Sequence, residues 1–290
     1  MIKINHTNIQ QVCQDYTDFV FKKNRHLNKD NQYIAYVFSE HNFKDIVSCP
    51  ASNLHNKIDL FHKLFPNIDY TAKEWKNFVR YMIGQYEWVR KEYLQKVLNA
   101  LNLSVCPYCN RQYIFSAGNN HKVSAQFDHF YSKTKYPYLA LSFYNLIPCC
   151  PTCNKAKGEE LIKINPYLEE FGDNGKIQIG SILNCVLNNT DWSVEIEADD
   201  RCKTNIRAFA LDDLYKKHKN YAYEIILKSI ANQEGYFNEL KNSFQNMGIT
   251  DDLIERILWG NQLNEEHLSD RPLSKMTLDI LKQLKEIRRG

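Results

Sequence analysis

The sequence predicts an α+β fold, with a compact mixed centre between two helical flanks. Three features point to it. Residues 1–100, and those from about Ala208 onward, repeat apolar positions at the three- and four-residue steps of a helix. Roughly 101–165 switch to short aromatic and β-branched runs broken by Gly118, Asn119 and Asn120, a hairpin signal. Five of the nine cysteines, Cys106, Cys109, Cys149, Cys150 and Cys153, fall in that centre. A chain of 290 residues with 43% hydrophobic and 24% charged residues can bury a core, which excludes wholesale disorder. No run of eighteen apolar residues suggests a membrane span, and Met1–His6 lacks a signal-peptide core, so a cytoplasmic protein is expected. A net charge of +3 is too small to mark the whole chain as a polycation. An odd cysteine count without an export signal favours metal or redox thiols over disulfides.

The elements follow in order. Weak helical patterns cover about 8–23 and 55–65. The clearest helix is expected over about 72–101, opened by a Thr71/Glu74 capping box and carrying Trp75, Phe78, Val79, Met82, Tyr86 and Val89 on one stripe. Tyr93, Leu94, Val97 and Leu101 extend it. Gln112–Phe115 and Val123–Phe127 read as paired strands, and Lys176–Ile179 and Trp192–Glu197 as short ones. Helical stripes return at Leu211–Ile226, Leu253–Leu258 and Met276–Leu284. The expected organisation is an N-terminal helical segment 1–100, a core 101–165 and a mostly helical C-terminal segment 166–290.

Cys106-Pro-Tyr-Cys109 and Cys150-Pro-Thr-Cys153 are two Cys-x-x-Cys pairs. Each can present two thiolates to one tetrahedral Zn²⁺, and four sulfurs leave no open position, so such a zinc is structural. A thioredoxin-like redox pair is the competing reading of one such motif, but two pairs without a βαβ pattern disfavour it. Cys149 could replace Cys150, although the x-x spacing favours Cys150. Cys13, Cys49, Cys185 and Cys202 read as small core residues.

Between the pairs lie Asp128-His129 and Asn145-Leu146, and Asn154 and Lys157 follow the last cysteine. Taken singly these suggest a surface turn, a cap, a turn residue and a solvated lysine at a helix start. Their order resembles the HNH endonucleases, the zinc-stapled branch of the ββα-metal nucleases. Asn154 stands where many members have a second histidine. The resemblance implies a small ββα-metal core with a four-cysteine zinc site, Cys106, Cys109, Cys150 and Cys153. It also implies His129 as the general base, a role suited to an imidazole with an ordinary pKa of about 6.5. Asp128 and Asn154 would ligate a catalytic Mg²⁺ or Mn²⁺, whose preference is for hard oxygen donors. Asn145 would bond loop backbone and hold the His129 ring, and Lys157 would contact phosphate or the transition state. Asp128 and His129, adjacent on a strand, should point to opposite faces. The substrate implied is DNA, or RNA, hydrolysed at its phosphodiester bonds. Residues 101–165 carry seven Lys/Arg against Asp128, Glu159 and Glu160, a modest phosphate footprint. Phe130, Tyr131, Tyr136 and Tyr138 are read as core rather than as base-stacking platforms.

The flanks contain Asn165-Pro166-Tyr167, Ala210–Lys219 and Arg271-Pro272-Leu273-Ser274. These resemble the nuclease subunits of Septu-type and retron-linked anti-phage systems, which implies an ATPase partner docking on the C-terminal segment, 204–290 above all. Truncation after about Asp200 is then expected to remove docking and leave zinc bound. The rival is a non-enzymatic zinc-stabilised adaptor that binds a protein partner, a reading that Asn154 in place of histidine would favour.

Overall fold

The structure is a computed structural model that describes residues 1–23, 30–117, 122–187, 191–232, 234–245 and 247–289. It contains two compact units. One comprises Ile4–Leu103 and Ile114–Leu168; the other comprises Met1–Lys3, Ser104–Tyr113 and Glu169–Gly290.

The first unit begins with helices α1 (Ile9–Lys23), α2 (Gln32–Val37), α3 (Glu40–Val47) and α4 (Leu54–Leu64). Asn31 and Ser39 cap α2 and α3, each accepting from backbone N–H groups of the first turn. Then comes α5 (Lys73–Glu92), which buries Trp75, Phe78, Met82, Tyr86 and Val89. Burial of each contributes about 1.5–3 kcal/mol. The expected single helix over 72–101 is two. Tyr93 leaves helical backbone (φ −137°, ψ −31°) and α6 (Leu94–Leu101) follows. The buried set of α6, Leu94, Val97, Leu98 and Leu101, lies one residue out of phase with the α5 stripe, so one straight helix could not bury both. The Tyr93 ring at the break stacks on Phe19 of α1 at 4.3 Å. The capping box does not form either. Thr71 bonds Asp69 through both its N–H and its hydroxyl, and the Glu74 carboxylate accepts from Gln32, so Ala72 heads the helix instead.

The expected hairpin is present but shifted. Its strands are β1 (Ser116–Ala117) and β2 (Lys122–Val123), paired antiparallel, and the turn at Gly118–Asn120 lies outside the described residues. Gln112–Phe115 forms no strand: Tyr113 makes an isolated bridge to Val105, and the Phe115 carbonyl accepts from the Ser124 N–H at 2.8 Å. Gln126 and Phe127 belong to β3 (Gln126–His129), which pairs antiparallel with β4 (Leu146–Cys149) and sets Asp128 opposite Ile147 and His129 opposite Leu146. Helix α7 (Pro151–Lys157) follows at once, with Pro at its first position and Cys150 as its cap. It stops at Gly158, whose φ of +53° a side chain would strain.

The second unit contains β5 (Gly175–Ile179), α8 (Ile182–Val186) and β6 (Val194–Ala198), with β5 and β6 paired antiparallel. Then follow α9 (Asp200–Ala208), α10 (Leu211–Lys216), α11 (Lys219–Ala231), α12 (Glu234–Gln245), α13 (Asp251–Trp259) and α14 (Ser274–Arg289). Side chains of α14 satisfy the open edge of β5. Asp279 accepts from the Ile177 N–H, and Gln283 bonds both the N–H and the carbonyl of Ile179. Segment 104–113 is anchored in this unit. Asn110 donates to the Leu268 carbonyl and accepts from the Lys275 N–H, and the Tyr215 hydroxyl donates to the Cys109 carbonyl.

Candidate functional site

Local backbone makes each cysteine pair a knuckle. Asn110 N–H donates to the Cys106 carbonyl at 2.8 Å, and Asn110 takes a left-handed φ of 47°. In the second pair the Cys150 sulfur accepts from the Cys153 N–H at 3.4 Å. The sulfurs of Cys106, Cys109, Cys150 and Cys153 lie within 4.8 Å of one another, and all four residues are buried. A zinc–thiolate tetrahedron with bonds of about 2.3 Å has sulfur–sulfur edges of about 3.8 Å, so four buried thiols at this separation fit Zn²⁺. Cys149 stays on β4 opposite Gln126 and is not in the cluster. Cys13, Cys49, Cys185 and Cys202 are buried, as small core residues should be.

Next to α7 a cleft of about 850 Å³ opens, lined among others by Tyr86, Asp128, His129, Lys133 and Asn154. Asp128 and His129 are a buried strand end, not a surface turn. They engage different neighbours. His129 Nε2 lies 3.0 Å from the Ala140 carbonyl, and its ring meets the Tyr86 ring edge-on at 4.4 Å. A carbonyl only accepts, so Nε2 carries the hydrogen and the neutral ring keeps Nδ1 as its acceptor. Burial above all, then the Lys133 charge, with a smaller push from Lys157, holds the imidazole pKa down at about 3. The Ala140 bond acts in the opposite sense.

The Asp128 carboxylate faces α7, where Lys157 Nζ sits 3.2 Å from both of its oxygens. The same ammonium donates to the His129 carbonyl at 2.7 Å. Lys157 is only 2% exposed and ends α7, so it is not a solvated lysine at a helix start. Asn145 caps nothing: it is fully buried and knits the loop after β3. Its Oδ1 accepts from the Tyr131 N–H, and its Nδ2 donates to the Tyr131 and Leu139 carbonyls. Leu139 adjoins Ala140, the residue that holds His129. Asn154 lies within α7, not in a turn, and its Nδ2 donates to Gln126 Oε1 at 2.6 Å. Of the aromatics, Phe130 and Tyr138 are buried and Tyr131 and Tyr136 half-buried.

The pattern of residue types overlooked one wall of this cleft. Tyr86, Glu87, Arg90 and Lys91 of α5 line it, as does Lys133. Tyr86 reads as core because it belongs to the apolar stripe, yet its hydroxyl also donates to the Phe127 carbonyl on β3. Lys133 lies 4.3 Å over the Tyr86 ring and 3.7 Å from Glu87, and Arg90 binds the same Glu87 at 2.7 Å. Only the long-range packing of α5 beside β3 reveals these residues.

Residues 106–160 match the HNH endonucleases, a family of nucleases. The stretch runs from the first clustered cysteine to just beyond α7 and contains Asp128, His129, Asn145, Asn154 and Lys157. At that coarse level it indicates a nuclease acting on nucleic acid. No curated protein matches the chain, and neither does any solved structure.

Proposed function

We propose that this chain is a metal-dependent endonuclease that hydrolyses phosphodiester bonds in DNA, with residues 101–165 as its catalytic core. One observation carries the reading. His129 is fixed through Nε2–H to a backbone carbonyl beside a cleft that also takes in a carboxylate, Asp128, and an amide, Asn154. Its Nδ1 is the acceptor for the proton of an attacking water, and the Ala140 carbonyl stabilises the imidazolium that results. Burial and the Lys133 charge keep the ring neutral, which leaves Nδ1 able to accept. Tyr86 and Asn145 are positioning residues: one packs the ring, the other braces the loop that holds it.

The oxygen donors of Asp128 and Asn154 suit Mg²⁺ or Mn²⁺, which tolerates one or two protein ligands and completes its shell with water and substrate phosphate. When bound, that cation supplies charge neutralisation at the scissile phosphate. Lys157, on the same carboxylate, keeps Asp128 oriented and limits the net charge of the site. The four cysteines hold a structural Zn²⁺. The loose likeness of the flanks to anti-phage nuclease subunits supports a cytoplasmic defence effector gated by an ATPase, and exposed Leu227, Ile230, Leu253 and Ile257 supply apolar surface for docking.

The test is nicking of supercoiled plasmid by purified protein. Cleavage is expected in Mg²⁺ or Mn²⁺ and not in EDTA. His129→Ala should lower the rate by about 10²–10⁴-fold while zinc content stays the same. If His129→Ala and Asp128→Ala both cut at the wild-type rate, the nuclease reading is wrong. Zinc-loaded protein that binds a protein partner yet never cuts would instead be an adaptor.

A further inference from the structure

Helix α5 does more than wall the cleft. Lys76, Arg80, Ile83, Glu87 and Arg90 recur at steps of four, three, four and three residues, so they share one face of the helix. Lys73 and Lys91 flank that face. Lys73, Lys76, Arg80, Arg90 and Lys91 are all exposed. The acidic residues are sorted away from it. Glu74 and Glu92 lie about 160° round the helix from Lys76, and the Glu74 carboxylate is bonded to Gln32. Glu87 is the exception, and it is covered by Arg90 at 2.7 Å and Lys133 at 3.7 Å. One end of the face opens into the cleft that contains His129. The other flanks an open groove of about 450 Å³, bordered by Lys76, Arg80 and the 55% exposed Tyr70.

An ordinary solvated helix face mixes both charge signs at i, i+4 spacing. This one is nearly single-signed and runs straight into the candidate active centre. We propose that the outer face of α5 is a phosphate track that holds the nucleic-acid backbone beyond the scissile bond. The inference rests on the nuclease reading and extends it to a helix outside the matched stretch 106–160. From Arg90 to Lys76 the helix rises about 21 Å at 1.5 Å per residue, which covers about six nucleotide steps at 3.4 Å along one strand.

The test uses the full chain carrying Lys76→Glu and Arg80→Glu, with Lys22→Glu, on α1, and Lys63→Glu, on α4, together as the charge-matched control. Binding of an 8- and a 20-base-pair duplex, in DNA and in RNA form, is followed by fluorescence anisotropy across a salt series. Circular dichroism checks the fold. Wild type and control should bind the long duplex more tightly and with a steeper salt dependence than the short one. The double variant should lose that gain, with about 60-fold weaker binding of the long duplex at 0.1 M salt if two phosphate contacts vanish, each worth a slope of about 0.9. Which duplex shows the loss identifies the backbone held. A folded double variant that binds the long duplex as wild type does overturns the track and leaves the nuclease reading standing. Wild-type protein that binds neither duplex at any salt overturns both.

Discussion

Lys157 shows how one side chain organises the cleft. Its ammonium joins the end of α7 to the Asp128 carboxylate and the His129 carbonyl, and both Lys157 and Asp128 are buried. Removing one partner of such a pair leaves an uncompensated buried charge, which typically costs about 3–5 kcal/mol, whereas removing both together costs far less. Lys157→Met is therefore expected to move the urea midpoint down sharply, and Asp128→Asn combined with Lys157→Met to recover most of the loss. Equal stability of the Lys157→Met variant and wild type would mean that the pair contributes nothing. His129 depends on the same neighbourhood in another way, since Lys133 and Lys157 both favour its neutral form.

At the scale of elements, the two knuckles place four buried thiols together, and four buried thiols without a cation gain little from their proximity. Each chain should carry one tightly held Zn²⁺, and Cys109→Ser should lower the thermal unfolding temperature and release it. Soluble, folded wild-type protein without zinc by elemental analysis would contradict this. Much of the site was legible because its chemistry is local. Cys-x-x-Cys spacing needs only a turn, and Asp128-His129 needs only the end of a strand. The break at Tyr93 was hidden because a one-residue phase shift in an apolar stripe leaves the three- and four-residue rhythm nearly intact. The failed capping box has the same kind of cause: Asp69 competes locally for Thr71, and Gln32, far away in sequence, takes Glu74. The burial of Lys157 and the Tyr86 wall depend on contacts 29 and 41 residues apart in the chain, which no local pattern records.

At the scale of the whole molecule, the second unit bears on how a partner could be tested. Segment 104–113 is held there by Tyr215, Leu268, Leu273 and Lys275, all beyond Asp200. Truncation after Asp200 would strip the anchors from Cys109 and Asn110, so it should release zinc, contrary to the expectation from sequence. Docking must be probed by surface substitutions instead. On α13, Ile254 is buried while Leu253 and Ile257, four residues apart, are exposed, Ile257 to 58%. Changing exposed residues away from caps and ion pairs usually alters stability by less than about 0.5 kcal/mol. Interfaces concentrate their energy in a few apolar or aromatic anchors worth about 2 kcal/mol or more each, so two added charges should weaken a complex by well over tenfold. Leu253→Glu with Ile257→Glu is therefore expected to keep the zinc, the unfolding temperature and plasmid cleavage in Mn²⁺, while abolishing co-purification with the ATPase partner proposed above. A complex that forms as well with this variant would place the partner elsewhere. One that instead dissociates when the Lys76→Glu and Arg80→Glu pair is introduced would place it over the α5 face.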